Sequence, residues 1–246
     1  METADIVLSG HDLNKSYKNR DRVVTPLKHV DFELRRGEIL GIVGESGSGK
    51  STLLKVISGI EKPDSGKLYH EGKEYTGAGP EKAGRFLRMI FQDAYGSFDP
   101  KMDMHKSLHE GNPASHEELI RIISEVGLDE ELLKRRPRNL SGGQCQRMSI
   151  ARALLSHASI LLCDEITSAL DVTTQAQVIK LLTEVRDEEG VSIMMISHDL
   201  ALVSMVCDRI MVLKDGTIVE EGATSEVINS PQHAYTRELL SSVLAV

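Results

Sequence analysis

The octapeptide GESGSGKS at residues 44–51 constrains this chain more than any other stretch. The apolar run EILGIVG precedes it and reads as a strand, and KSTLLKVISG follows and reads as a helix. Strand, glycine-rich turn and helix match the pattern G-x-x-x-x-G-K-[ST] in full and in the context it requires. Each residue type has a physical task. Gly47 and Gly49 let the backbone curl until several amides converge on phosphate oxygens. Lys50 brings a point charge to the β- and γ-phosphates, and the Ser51 hydroxyl is suited to Mg²⁺. The nucleotide-binding set is Gly44, Glu45, Ser46, Gly47, Ser48, Gly49, Lys50, Ser51 and Thr52. Taken alone, the turn specifies a nucleoside triphosphate.

The surrounding pattern predicts an α/β fold. Before the turn, DIVLSG and VDFEL alternate as strands of an antiparallel subdomain. After it, RMIFQD reads as a strand, and from residue 141 helices and strands alternate. In order these are GGQCQRMSIARALLS, SILLCDE, TTQAQVIKLLTEVRDEEG, VSIMMISHD and LALVSMVC. Such alternation implies a parallel sheet covered on both faces. DRIMVLKDGTIVEEG reads as a strand pair turning at Asp215-Gly216, and ATSEVINSPQHAYTRELLSSV as two short helices. Residues 93–138 differ in character: an irregular start, then HEELIRIISEVGL with Leu119, Ile122, Ile123 and Val126 at helical spacing. We expect one domain over 1–246, a P-loop NTPase core with a mixed, largely parallel sheet, carrying a small α-helical insertion at 93–138.

Two further places carry chemistry. SILLCDE is an apolar strand ending in Asp164-Glu165, so two charges sit at its C-terminal edge, where ligands of open α/β sheets bind. Asp164 is suited to hold Mg²⁺ and Glu165 to polarise a water; the alternative is a solvated acid pair. SGGQCQR at 141–147 puts two glycines at the start of a helix. Ser141 as a cap with close packing explains them structurally; bare amides at a helix N-terminus, which attract an anion, explain them functionally.

The set in order is GESGSGKS, Gln92 after a strand, LSGGQ at 140–144, LLCDE at 161–165, SALD at 168–171, and SHD with His198. Together they resemble the ATP-binding subunit of the ABC ATPase superfamily over nearly the whole chain. The resemblance implies ATP and Mg²⁺, and two such domains packed head to tail, each presenting Ser141, Gly142, Gly143 and Gln144 to the other's ATP. It implies Glu165 as general base, with His198 and Gln92 as catalytic partners and Ser51, Gln92 and Asp164 around the metal. It implies that Tyr17 stacks on adenine and that Ser168 and Asp171 lie at the dimer interface. A strand tyrosine with a wet hydroxyl and a structural histidine remain the alternatives for Tyr17 and His198. Cys145 has no evident base beside it and reads as an ordinary, partly buried cysteine.

FQDAYGSFDPKM, CDEITSALDVTTQAQVIKLL and SPQHAYTRELLSSV further resemble the oligopeptide/dipeptide/nickel importer branch. That implies integral membrane permease subunits, a second ATPase subunit in a homo- or heterodimer, an extracytoplasmic solute-binding protein acting indirectly, and a place at the cytoplasmic face of the membrane. Three features depart from the branch: Ile166 and Ala94 where proline is usual, and a short, polar insertion. A soluble ABC-containing assembly of the carbon–phosphorus lyase kind is the alternative. A DNA-repair or ribosome-acting ABC protein fits less well, for want of a long heptad insertion or a second ATPase domain.

Composition bears on the partners. Lys and Arg number 29 against 37 Asp and Glu, a formal net charge of −8, and tryptophan is absent, which together argue against nucleic acid. No apolar run reaches the roughly 18–20 residues a bilayer needs. The first ten residues do not resemble a signal peptide, and three isolated cysteines predict a reducing compartment without disulfides.

Overall fold

The computed structural model describes residues 5–19, 22–110, 114–168 and 170–244. Strands β1 (Ile6–Asn19) and β2 (Arg22–Arg35) pair antiparallel. β3 (Ile39–Val43) then leads through the glycine-rich turn into helix α1 (Lys50–Ile57). β4 (Ser65–His70) and β5 (Lys73–Glu74) join β1 and β2 in a four-stranded antiparallel sheet of order β2-β1-β4-β5. Sequence alternation marks only six and five residues of β1 and β2, whereas each strand runs to 14. Register shifts along the pair, between Gly10 and Leu13 for example, explain the difference. Each bulge reverses the inward-facing parity, so one strand does not read as one alternating pattern.

Helix α2 (Pro80–Ala83) precedes β6 (Leu87–Ile90); α3 (Met104–His109) and α4 (His116–Glu125) follow. The remainder is α5 (Gly142–Leu154), β7 (Ile160–Asp164), α6 (Val172–Glu189), β8 (Ser192–Ile196), α7 (Leu200–Val206), β9 (Arg209–Lys214), β10 (Thr217–Ala223), α8 (Thr224–Asn229) and α9 (Ala234–Leu244). The second sheet has the order β10-β9-β3-β8-β7-β6, parallel throughout except for β10. Asp215 and Gly216, both at positive φ (47° and 86°), turn β9 into β10 as the sequence predicts.

The two faces of this sheet belong to two cores, and residue parity decides which. Leu40, Ile42, Leu162, Met194, Ile196, Met211 and Leu213 pack with α1 and the antiparallel sheet. Their neighbours Ile39, Val43, Leu161, Cys163, Ile193, Met195, Ile210 and Val212 face the helices. The described part of residues 93–138 carries α3, α4 and short 3-10 turns, and Phe98, Met104, Leu119, Ile122 and Ile123 join that helix-side core. Ile166 and Ala94, the two departures from proline, are buried in the same core. The three cysteines are free and buried. Burial pushes the Cys145 thiol up to about 11, which leaves it protonated and unreactive at neutral pH.

One charged pair lies under the strand bases. Glu38, 6% exposed, accepts two bonds from Arg209 Nη1 (2.8 and 3.1 Å) and one from the Arg35 amide (2.8 Å). Glu38→Ala strands Arg209 in a poorly hydrated place, although Glu221 remains beside it. The expected loss of stability is about 3 kcal/mol, measurable as a lowered urea midpoint.

Candidate nucleotide site

The glycine-rich turn is shaped by what lies behind it. Gly44 (φ 150°) and Gly49 (φ 113°) are positions where a Cβ would lie 2.2 Å from Leu213 O and 2.1 Å from Pro26 O. Only glycine fits there, because the turn is pressed against β9 and β2. Gly49 ends the turn in the left-handed region, and no side chain caps α1. The first amides of α1 therefore have neither an intrahelical acceptor nor a side-chain cap, and they carry the positive end of the helix dipole. Lys50 folds back, and its Nζ donates to Gly44 O and Glu45 O, both at 2.8 Å. Burial lowers its pKa, against the opposing pull of Glu165, Asp164 and Glu45.

Strand β7 brings up the acids. Asp164 is 5% exposed and accepts the Ser51 hydroxyl at 3.0 Å. Burial raises its pKa, and the Ser51 bond works in the other direction. Glu165, one residue on, leaves the strand at φ 50°, a conformation a glutamate adopts at a cost of the order of 1–3 kcal/mol. Its amide remains tied to Ile196 O of β8 at 3.1 Å. The carboxylate is held from both sides: Gln92 Nε2 donates to Oε2 at 2.7 Å, and His198 Nε2 pairs with Oε1. Gln92 comes from the end of β6 and His198 from the end of β8, so three neighbouring parallel strands deliver three side chains to one point.

These groups border a cleft of about 340 Å³ lined by Tyr17, Pro26, Gly47, Lys50, Ser51, Glu165, His198 and their neighbours. Tyr17 is 40% exposed on one wall, its hydroxyl bonded to Glu61. Burial and the Glu61 bond push that phenol up to about 12, so it stays neutral. Ser168 Oγ donates to Glu165 O (2.9 Å), and Asp171 caps α6 through the Thr174 amide (3.0 Å).

Ser141, Gly142, Gly143 and Gln144 do not line this cleft. Ser141 Oγ accepts from the Gln144 amide (3.2 Å) and Gln144 Oε1 from the Ser141 amide (2.9 Å), a reciprocal capping box. That accounts for the serine and the glutamine, but not for the glycines. A Cβ on Gly142 would meet nothing within 4 Å. Among the described residues, no close approach requires glycine at Gly142.

Two contacts at the site escape sequence reasoning. Glu61 holds Tyr17, and Tyr235 of α9 accepts the Glu45 amide at 2.9 Å. Their partners lie 44 and 190 residues away, with no motif to connect them.

A nucleotide turn backed by a sheet, an acid pair ending β7 two strands along that sheet and a capped glycine pair standing outside the cleft together define an ATP-binding cassette. Residues 27–168 match the family model described as "ABC transporter". Among curated proteins, the oligopeptide transport ATP-binding protein OppF of Escherichia coli (strain K12) is 42% identical over 88% of this chain and 70% of its own length. The dipeptide transport ATP-binding protein DppF of the same strain is 36% identical over 96% of this chain and 76% of its own. Among solved structures, the ATP-binding cassette MJ0796, a dimer in a post-hydrolysis state bound to ADP and Pi, superposes with a TM-score of 0.81 at 27% identity, covering 88% of this chain and 98% of that one. The chain belongs to the ABC transporter family, and it is an ATP-binding, ATP-hydrolysing subunit.

Proposed function

We propose that this chain works as one half of a head-to-tail ATPase pair that powers a membrane importer of peptides. The observation that carries the pairing is the division of the site. One cleft gathers Lys50, Ser51, Glu165 and His198, while Ser141–Gln144 stand outside it with open space over Gly142. A second copy, or a sister subunit, supplies the missing anion-binding helix end. A paired arrangement accords with the dimeric cassette neighbour. The peptide assignment accords with the OppF and DppF relatives, whose names give them as transport ATP-binding proteins; on this reading the chain would sit peripherally at the cytoplasmic face, against permease subunits, with a solute-binding protein outside. Among the described residues no helix is long and apolar enough to cross a membrane.

Within the cleft, the curled amides of 46–51 and Lys50 bind the phosphates, and Tyr17 offers its ring face to the adenine. Glu165 takes the proton from the attacking water, oriented by Gln92 and His198. Ser51 and Asp164 present a hydroxyl and a buried carboxylate, hard oxygen donors that fit Mg²⁺ and, with Gln92, would hold it beside the phosphates. When bound, that ion neutralises phosphate charge. Gln92 also lies in a segment, 91–97, braced on α5 and the residues just before it: Tyr95 donates to Leu140 O (2.5 Å), Gln146 to Phe91 O (3.3 Å) and Arg152 to Ser97 O (2.8 Å). That bracing lets a change at the γ-phosphate reach both Ser141 and the helical insertion at 93–138, against which the permease would dock.

Proteins that co-purify from detergent-solubilised membranes test the importer reading. Multi-span permeases with a sister ATPase are expected; soluble enzyme subunits alone would overturn it in favour of the lyase-type assembly. Gly142→Asp tests the pairing. The new side chain enters open space in a first helical turn that tolerates an acid, so thermal stability is expected to hold. It would also put a negative charge against the partner's γ-phosphate. ATP-driven dimerisation by light scattering should vanish and hydrolysis fall by at least ~10-fold; an undiminished dimer would contradict the arrangement.

A further inference from the structure

The SPQHAYTRELL segment has no role in the proposed chemistry, yet its Tyr235 reaches the nucleotide turn. Glu220 of β10 accepts the amides of Gln232 (2.7 Å) and His233 (2.9 Å), which fixes the approach to α9. Tyr235, the second residue of α9, is 2% exposed, and Lys214 Nζ lies 4.3 Å from its ring centroid. Its hydroxyl accepts the Glu45 amide at 2.9 Å. The same peptide group carries Gly44 O, the carbonyl that accepts Lys50 Nζ at 2.8 Å. A trans peptide is planar, with its N–H and C=O pointing in opposite directions. Tyr235 therefore grips one end of the peptide and Lys50 the other.

Gly44 makes that grip necessary. Its φ of 150° and the 2.2 Å approach of a Cβ to Leu213 O exclude any side chain, so the residue ahead of this peptide is the most permissive in the chain's repertoire. The backbone preference of Gly44 does not by itself fix the peptide plane. We propose that Tyr235 is a positioning residue for ATP binding: its hydroxyl sets the 44–45 peptide, and through it the resting place of Lys50 and the curl of the turn. The inference rests on the assignment of ATP to this cleft. It ties nucleotide affinity to the anchoring of α9, about 190 residues from the turn.

Tyr235→Phe keeps the ring in the core and removes only the acceptor. The lost bond is a single one at a partly buried place, so the fold is expected to survive, with a change in melting temperature of no more than ~4 °C. The dissociation constant and KM for ATP are expected to rise ~5-fold, the size of one lost hydrogen bond, with kcat within ~2-fold. Amide exchange in a peptide spanning 44–50 should accelerate in the nucleotide-free variant. Tyr75→Phe, which removes a hydroxyl bond to Ile57 O (3.1 Å), is the matched control. ATP affinity unchanged in Tyr235→Phe would overturn the inference, as would an equal rise in Tyr75→Phe. A wild-type chain that binds no ATP would overturn the assignment of the cleft as well, which separates the two failures.

Discussion

Glu165→Gln is expected to abolish turnover while keeping ATP bound. The amide is isosteric with the carboxylate. Its oxygen can still accept from Gln92, and its nitrogen can donate to a neutral His198, so the arrangement at the ends of β6, β7 and β8 persists. What disappears is the proton acceptor. Loss of a general base costs ~10²–10⁴ in rate, and Asp164 does not replace it, being engaged by Ser51 with burial favouring its neutral form. On the proposed reading, one negative charge facing the γ-phosphate is also removed, which would favour an ATP-bound pair. Phosphate release should fall by at least ~10²-fold, and size-exclusion chromatography with ATP should show a dimer that the wild type hydrolyses away. Undiminished hydrolysis would remove Glu165 from the mechanism. The left-handed backbone of Glu165 adds to the case. A strained residue persists where its surroundings over-determine it, and here the Ile196 carbonyl, Gln92, His198 and Ser168 all do so.

The parts of the site that can be read from sequence are those in which chemistry and chain are contiguous. GESGSGKS states its own geometry, because the turn, the lysine and the helix start are consecutive residues. LLCDE does so because a buried strand must end where its charges begin. The inner strands were legible for the same reason: each is a short apolar run, and the two-core parity of β3, β7, β8 and β9 follows from alternation alone. The limits have equally physical causes. Bulges concealed the length of β1 and β2. Tyr235 and Glu61 reach the site through tertiary contact, and each looks like an ordinary surface or helix residue in its local context. The SGGQ glycines lie between these cases. Ser141 was legible as a cap, the reciprocal bond from Gln144 is seen only in the structure, and the open space over Gly142 becomes meaningful once the described residues show no neighbour for it.

Lys50→Ala is the second large effect, and it acts on binding. In the structure the ammonium is parked on two carbonyls of its own turn and is largely withdrawn from water, with Asp164, Glu165 and Glu45 close enough to counter its desolvation. Such a cation gains by exchanging carbonyl dipoles for phosphate charges. Removing it takes away a charge-assisted contact worth about 3 kcal/mol, so ATP affinity should fall ~10²-fold in a nucleotide titration. The folded chain should suffer much less, because the freed carbonyls border an open turn and the substitution removes a desolvated charge. Lys50→Arg separates charge from shape. The guanidinium retains the charge, but it is a planar fork rather than a point and does not fit between Gly44 O and Glu45 O. If charge alone mattered, Arg would restore affinity; if the cradle matters, Arg should bind ATP nearly as poorly as Ala. The enclosure of the Lys50 head by its own turn favours the second outcome. Normal ATP affinity in Lys50→Ala would contradict the assignment of 44–51 as the phosphate site.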